Sequence, residues 1–117
     1  MTYTPGLHIL AEIKTKDSNL LVNEKLLRSF FNDRINAYHL QALGEVYHKF
    51  PGGGFTGVVC LTESHIAIHT WPEYQYLTFD IYLSNFSKSN DETARNFFRE
   101  TVKYFQSEDF TFNELKR

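Results

Sequence analysis

The residues with the greatest chemical potential lie in one segment, Thr62–Glu73, whose sequence is TESHIAIHTWPE. It contains Ser64 beside a glutamate, and two histidines four positions apart, His65 and His69. On a helix, histidines at this spacing could share a metal ion, but the alternating apolar residues and the following Trp-Pro favour a strand. On a strand, four residues span about 13 Å, which is too far for two ligands of one zinc ion. We therefore predict no metal site.

Ser64 lacks the Gly-x-Ser-x-Gly context that exposes the nucleophile of α/β-hydrolases. Taken alone, it could be a turn serine, and His69 could be a strand histidine with local hydrogen-bond partners. Residue types by themselves leave that alternative open. A serine that attacks a carbonyl near neutral pH needs a nearby base, donors for the oxyanion and a strained peptide.

The hydrophobic pattern predicts an α+β fold with a mostly antiparallel sheet and two helices on one face. Helical spacing favours one helix from Leu20 to Ala37 and another that a capping box at Ser89–Glu92 begins. Pro51–Gly54 is expected to be a loop, because three glycines do not pack a core and proline lacks a donor for the sheet. Strands are expected at 6–13, 39–49, 55–61, 66–71, 74–83 and 110–112.

Composition limits the classes of protein that remain. The 117 residues suit one domain, 1–117, and 42% hydrophobic residues indicate a globular chain. With a net charge of -2 and no Lys/Arg cluster among aromatics, we expect no nucleic-acid partner. No apolar run is long enough to cross a membrane, and the single cysteine suits a reducing compartment, so a cytoplasmic protein is expected. As a strand residue, Cys60 is expected to be buried and inert.

The segment Leu61–Tyr74, LTESHIAIHTWPEY, closely resembles the processing-site signature of prokaryotic S-adenosylmethionine decarboxylases. Looser similarity covers nearly the whole chain, through Gly6-Leu7-His8, His48-Lys49-Phe50, Gly57-Val58-Val59 and Asp80. The resemblance implies that the chain cuts its own Glu63–Ser64 bond, giving chains 1–63 and 64–117, and that Ser64 becomes a pyruvoyl group. No external cofactor is then required, because the pyruvoyl carbonyl forms a Schiff base with the substrate amine and accepts the electrons released with CO₂.

The same resemblance assigns roles to other residues. His69 and Thr56 assist self-cleavage, with Thr56 standing where the family usually has serine. Phe50 stacks on the adenine ring, Glu73 holds the ribose hydroxyls, and Glu12 is a weaker candidate for a substrate contact. From the sequence alone, Phe50 could equally be a core residue and Glu73 an ordinary surface carboxylate.

Spacing raises the question of how Ser64 and His69 meet. Along one straight strand they would lie about 16 Å apart and on opposite faces. Either the chain turns between them or a second copy supplies one of the pair. The family builds its sites at a dimer interface, and the sheet face without helices also needs a cover. We therefore expect a homodimer or larger homo-oligomer, with the sheets face to face in an α/β/β/α sandwich.

The resemblance fails after Trp-Pro-Glu-Tyr. The family has Asp-x-x-x-Cys-Gly in the next strand, whereas this chain has Asp80 followed by Ser84-Asn85. The family's thiol, which returns a proton to the decarboxylated carbon, is thus replaced by the hydroxyl of Ser84. A thiol with a pKa of about 8.5 donates a proton near neutral pH far more readily than an alcohol does. We expect reprotonation to limit this enzyme.

Three functions remain open at this stage. The first is decarboxylation of S-adenosylmethionine for polyamine (spermidine) biosynthesis. The second is decarboxylation of ornithine or arginine, because Gln75 and Leu77-Thr78 replace the family's usual Gly and Ala-Ala and would fill the nucleoside space. The third is a non-catalytic homologue that serves as a partner subunit.

Overall fold

The computed structural model describes residues 2–86 and 88–117. The described elements are β1 (Leu7–Lys14), α1 (Ser18–Val22), α2 (Glu24–Ala37), β2 (Ala42–Lys49), β3 (Phe55–Leu61), β4 (Ser64–Trp71), a 3₁₀ turn (Pro72–Tyr74), β5 (Tyr76–Leu83), α3 (Asp91–Tyr104) and β6 (Asp109–Lys116). The six strands form one antiparallel sheet in the order β2-β3-β4-β5-β1-β6. The predicted α+β class with an antiparallel sheet is confirmed.

Each central strand buries every second side chain beneath the helices. Ile9 and Ala11 of β1 and Phe79 and Ile81 of β5 are buried on this face. The helices contribute the other half of the core, with the buried residues Leu27, Phe31 and Ile35 from α2 and Ala94, Phe97, Phe98 and Val102 from α3. The opposite side of the sheet, called here the open face, is not covered by any helix of the described residues. The prediction that the helices cover one face is confirmed.

Three phenylalanines join the two long helices to the sheet. Phe31 of α2, Phe79 of β5 and Phe97 of α3 are all buried, with ring centroids 5.7 to 6.3 Å apart. At this spacing aromatic rings attract each other in addition to burying apolar surface. Fully burying each side chain stabilises the fold by about 1.5–3 kcal/mol. This cluster fixes the face of the sheet that turns away from solvent.

The prediction of one helix from Leu20 to Ala37 is wrong, because the segment is divided at Asn23. Asn23 has non-helical dihedral angles, φ -90° and ψ 79°, and its side chain accepts a hydrogen bond from the backbone N–H of Leu26. Asparagine caps a helix well because its short side chain replaces a missing backbone acceptor. The described residues therefore contain three α-helices, not two.

The predicted capping box at Ser89–Glu92 is also wrong. Helix α3 starts at Asp91, and the residue at its N-cap, Asn90, makes no capping hydrogen bond with its side chain. The Asn90 amide instead donates to the carbonyl oxygen of Ser84 at 2.8 Å. A tertiary contact outside the helix has thus replaced the local cap.

Strand β6 is longer than the predicted 110–112. It pairs with β1 from Asp109 to Lys116, yet all its residues are exposed because it lies at the edge of the sheet. An edge strand that buries little shows weak alternation, which explains the underestimate. No helix within 2–86 or 88–117 is long and apolar enough to cross a bilayer.

Replacing Phe97 by alanine should lower the free energy of unfolding by about 3–5 kcal/mol, because it leaves a cavity among the buried rings. Phe86→Ala is the matched control, since this side chain is 85% exposed and surface changes usually cost less than about 0.5 kcal/mol. Urea unfolding of each protein at equal concentration measures both values. Equal losses for the two variants would contradict the aromatic cluster as the centre of the core.

Candidate active site

The Glu63–Ser64 bond lies at the tip of the hairpin between β3 and β4. Thr62 and Glu63 form its two-residue turn, and Ser64 opens β4 opposite Leu61. Ser64 has a backbone φ of 148°, which residues with a Cβ atom rarely adopt. Such conformations cost about 1–3 kcal/mol and persist only where the surroundings enforce them. The strain expected of a reactive peptide is present at this bond.

The carbonyl group of Glu63 is held by a backbone donor. The N–H of Ser84, directly after β5, donates to the Glu63 oxygen at 2.8 Å. A donor on the carbonyl that is to be attacked stabilises the negative charge that develops on its oxygen. The sequence could not reveal this role of Ser84, because every residue except proline carries the same N–H.

Cross-strand register defines three transverse rows on the open face, between Ser64 and the aromatic pair Trp71 and Tyr76. The proximal row, one residue into the sheet from Ser64, contains Gly44, Cys60, His65, Tyr82, His8 and Leu115. The middle row contains Val46, Val58, Ala67, Asp80, Leu10 and Asn113. The distal row contains His48, Thr56, His69, Thr78, Glu12 and Thr111. Four residues along each strand, or about 13 Å, separate the proximal and distal rows.

The distal row brings together three of the predicted site residues. Thr56 Oγ1 lies 3.0 Å from Nδ1 of His69, within hydrogen-bond distance. The tautomer of the imidazole decides which group donates. Glu12 lies two strands away and accepts a hydrogen bond from the Thr111 hydroxyl at 3.0 Å. The pair assigned to self-cleavage is thus in direct contact, and Glu12 shares its row.

Phe50 and Glu73 lie at the same end of the sheet as the distal row. Phe50 follows β2 and is 48% exposed, with its ring edge against His48 at a centroid distance of 4.8 Å. The alternative that Phe50 is a core residue is therefore wrong. Glu73 is exposed in the 3₁₀ turn after β4. Between them, Gly54 packs closely against the backbone of Thr70. A Cβ atom added at Gly54 would lie 2.6 Å from the Thr70 carbonyl oxygen.

Ser64 and His69 do not meet within one chain. Strand β4 runs without interruption from Ser64 to Trp71, so five residues separate the two side chains by about 16 Å. The alternative in which the chain turns between them is wrong. The structure thus gathers the predicted residues into two groups at opposite ends of the sheet, with Glu63, Ser64 and Ser84 at one end.

The proximal row contains a polar cluster to which the sequence analysis gave no role. His8 is only 7% exposed, and the guanidinium of Arg117 donates to its Nδ1 at 3.2 Å. Nε2 of His8 lies 3.7 Å from Asp80 and has no hydrogen-bond partner among the described residues. Burial lowers the pKa of His8, and Asp80 partly opposes this shift, so His8 is neutral near neutral pH. Strand alternation places His8, His65 and Tyr82 on one face of the sheet. This pattern could have identified the cluster from the sequence.

Cys60 belongs to the same row, and the prediction that it is buried is wrong. Its neighbours Val59 and Leu61 are buried beneath the helices, so the side chain between them points to the open face. The thiol is exposed. The direction of the Cys60 side chain is set by the two-residue period of the strand, and not by the hydrophobic character of cysteine.

The strain at Ser64 can be measured in proteins that lack the hydroxyl. Ser64→Gly should be about 1 kcal/mol or more stable than Ser64→Ala, because glycine adopts positive φ without a steric penalty. Thermal or urea unfolding of the two proteins gives this difference. The matched pair Ser18→Gly and Ser18→Ala, at the exposed first residue of α1, should show no such advantage for glycine. Equal stability of the two Ser64 variants would contradict the strain.

Comparison with known proteins agrees with this geometry. The profile of the family described as S-adenosylmethionine decarboxylase matches residues 7–117. The S-adenosylmethionine decarboxylase proenzyme of Archaeoglobus fulgidus is 37% identical over 98 residues, covering 84% of this chain and 87% of that protein. The proenzyme of Acetivibrio thermocellus is 36% identical over 112 residues, covering 96% and 87%.

A solved structure matches as well. The crystal structure of the adenosylmethionine decarboxylase from Aquifex aeolicus has a TM-score of 0.86 and 28% identity, covering 99% of this chain and 92% of that one. The similarity therefore extends from the hairpin signature through the whole sheet with its helices. With the sequence, the sheet and the strained Glu-Ser hairpin in agreement, the chain belongs to the S-adenosylmethionine decarboxylase family.

Proposed function

We propose that this chain is a proenzyme that cuts its own Glu63–Ser64 bond and then decarboxylates S-adenosylmethionine with the pyruvoyl group formed from Ser64. The observation that carries the proposal is the strained hairpin, in which Ser64 has a φ of 148° and the preceding carbonyl accepts a hydrogen bond from Ser84. The relatives bearing the name of S-adenosylmethionine decarboxylase proenzyme support the same activity and substrate.

Self-cleavage begins when the Ser64 hydroxyl oxygen attacks the Glu63 carbonyl carbon. A C–O bond replaces the C–N bond, so the amide becomes an ester, and the Ser84 N–H stabilises the charge on the carbonyl oxygen. Elimination across Cα–Cβ of Ser64 releases Glu63 as a carboxylate and leaves dehydroalanine. Water then replaces nitrogen, which leaves as ammonia, and the product is a pyruvoyl group. Strain at Ser64 raises the energy of the uncut chain and so favours the first step.

Residues of this chain fit a substrate bound at this group. The pyruvoyl carbonyl supplies an electron sink for the bond to the departing CO₂. Phe50 offers an exposed ring for stacking on adenine, and Glu73 offers a carboxylate for two ribose hydroxyls. Both lie at the distal end of the sheet, so in this proposal they contact a substrate held at the Ser64 of another copy.

A face-to-face homodimer joins the two ends. A two-fold axis along the middle row would reverse the strands of the partner and lay its distal row over the proximal row of the first copy. His69 and Thr56 of one copy would then approach Ser64 of the other, since all lie on or beside β4. Aligned sheets pack about 10 Å apart, which leaves room for side chains and a substrate.

The middle row suits such a contact. Val46 is 72% exposed and Val58 is 40% exposed, and Ala67 and Leu10 continue the row across the sheet. Exposed apolar residues in register form a seam that a second copy can bury. Asp80, the charged residue of the row, lies 3.7 Å from His8.

The replacements that suggested a shorter substrate do not fill the open face. Leu77 is buried beneath the helices, so it enlarges the core. Gln75 is exposed at φ 52°, a conformation that explains a glycine at this position in relatives. Only Thr78, in the distal row, faces the site. Neither ornithine or arginine decarboxylation nor a non-catalytic role is favoured by a specific observation.

The purified protein should consist of two chains, residues 1–63 and 64–117, with a pyruvoyl group at the start of the second. Denaturing mass spectrometry of freshly purified protein measures this directly, and release of labelled CO₂ from S-adenosylmethionine tests the substrate. Ser64→Ala should remain one chain, because no hydroxyl is left to attack. A wild-type chain that stays uncut for days would argue strongly against the proposal.

Sharing of sites between copies can be tested with two cleavage-defective variants. Ser64→Ala and His69→Ala should each remain uncut, or nearly so, when produced separately. In mixed dimers the His69→Ala chain should be cut, because the Ser64→Ala partner supplies a histidine, whereas the Ser64→Ala chain stays intact. Mass spectrometry distinguishes the chains, and analytical ultracentrifugation gives the oligomeric state. An active monomer at micromolar concentration, or no cutting in confirmed mixed dimers, would rule out shared sites.

A further inference from the structure

The proposed reaction needs an acid that Ser84 does not provide well. After CO₂ leaves, the carbon that carried it holds an electron pair and must take up a proton. An alcohol is far weaker as an acid than a thiol, and the relevant position here carries an alcohol. Another group near Ser64 must therefore supply the proton.

Cys60 has an exposed thiol, and its backbone lies close to that of Ser64. Ser64 pairs with Leu61 of β3 on one side and with Leu83 of β5 on the other. Cys60 is therefore one residue from Ser64's partner on β3, on the side of His65, whereas Ser84 is one residue from the partner on β5, on the side of Glu63. With strands about 4.8 Å apart and about 3.3 Å per residue, the Cα atoms of Cys60 and Ser64 are about 6 Å apart.

His65 is the direct cross-strand partner of Cys60. Side chains at such positions have Cβ atoms about 4.5–5.5 Å apart, within reach of a contact between thiol and imidazole. The His65 ring in turn lies edge-on to His8, with centroids 5.9 Å apart. A histidine beside a thiol can exchange a proton with it near neutral pH.

The cluster also contains a buried group without a partner. Nε2 of His8 makes no hydrogen bond to the described residues, although the side chain is almost completely buried. Because the Arg117 guanidinium has only donors, Nδ1 of His8 accepts and Nε2 carries the proton. This N–H lies 3.7 Å from Asp80, beyond hydrogen-bond distance, so a bound acceptor at this position would be stabilised.

The other members of the row are less suited to donate. The pKa of Tyr82 is raised, first by its hydrogen bond with Tyr3 and then by burial, which makes the phenol a weaker acid. Its hydroxyl also lies within 3.5 Å of the Arg117 carbonyl oxygen. His8 is enclosed by the cluster. Within this row, Cys60 and His65 offer a thiol and an imidazole that are accessible from the open face.

We propose that Cys60 is the catalytic acid of this chain and that His65 is the residue that positions and recharges it. This inference rests on the proposed function. The S–H bond of Cys60 breaks, and its proton forms a C–H bond with the electron pair left on the carbon that has lost CO₂. The resulting thiolate takes a proton from the imidazolium of His65, which water reprotonates. No oxidant or reductant is needed.

The first experiment compares wild type, Cys60→Ser and the double variant Cys60→Ser/Ser84→Cys. Cys60→Ser should still be cut at Glu63–Ser64, which verifies the fold, but should release CO₂ at least about 10-fold more slowly in steady state. Protonation at the wrong atom should also convert its pyruvoyl group to alanine within few turnovers. Mass spectrometry of chain 64–117 detects that change. A thiol at position 84 should restore turnover and reduce the conversion.

The second experiment measures the thiol without requiring turnover. Cys60 is the only cysteine, so alkylation by iodoacetamide reports on it alone. In the uncut Ser64→Ala protein, alkylation near neutral pH should slow about 10-fold on His65→Gln, because the imidazole no longer stabilises the reactive thiolate. Ser64→Ala/His39→Gln is the matched control, since His39 is exposed beyond α2 and outside the cluster. An unchanged pH profile on His65→Gln would overturn the role of His65.

The outcomes separate this inference from the function on which it rests. If wild type stays uncut or releases no CO₂ from S-adenosylmethionine, both proposals are wrong. If wild type is active and Cys60→Ser matches it in turnover and in pyruvoyl lifetime, only the assignment of Cys60 is wrong. Loss of turnover on His65→Gln but not on Cys60→Ser would identify the imidazole as the acid instead.

Discussion

The constraint on which the rest of the structure depends is that the helices within residues 2–86 and 88–117 cover only one face of the sheet. The contact of Phe31 and Phe97 with Phe79 fixes which side of β5 is buried. Because strand side chains alternate, that single choice sends every intervening residue to the other side. The reactive side chains of β1, β3, β4 and β5 therefore share one surface without being close in sequence.

The open face carries two groups of polar residues that one monomer does not bring together. Its polar rows lie at opposite ends, separated by a row with exposed valines. At one end, Ser64 has its strained backbone and the N–H of Ser84 donates to the Glu63 oxygen, while Thr56 and His69 form their hydrogen bond at the other end. A straight strand keeps the two groups apart within each chain. Assembly of two copies is thus part of the chemistry that we propose, and not only a means of covering apolar surface.

Much of the fold could be predicted from local pattern. The limits of β3 and the α+β class followed from alternation and helical spacing, and the hairpin signature indicated the family. The break at Asn23 and the start of α3 could not be placed, because each depends on whether one polar side chain bonds locally or to a distant group. The length of β6 depends on pairing with β1, a partner far away in sequence.

The site was predicted less completely than the fold. Residue types and resemblance predict roles for Ser64, His69 and Thr56, since the chemistry of these residues resides in their side chains. The donor to the Glu63 oxygen is a backbone N–H, which no sequence pattern distinguishes. Cys60 is expected in the interior as a strand residue, but alternation with Val59 and Leu61 turns it outward. Counting the period of two along β3 would have avoided this error.

The order of strands has a consequence for the two pieces of a chain divided between residues 63 and 64. The first piece would contribute β1, β2 and β3, and the second β4, β5 and β6. Because the order is β2-β3-β4-β5-β1-β6, strand β1 of the first piece lies between β5 and β6 of the second. The pieces would be interleaved along three shared strand boundaries, so neither could leave without dismantling the sheet. Division of the backbone would therefore create a permanent non-covalent heterodimer within each subunit.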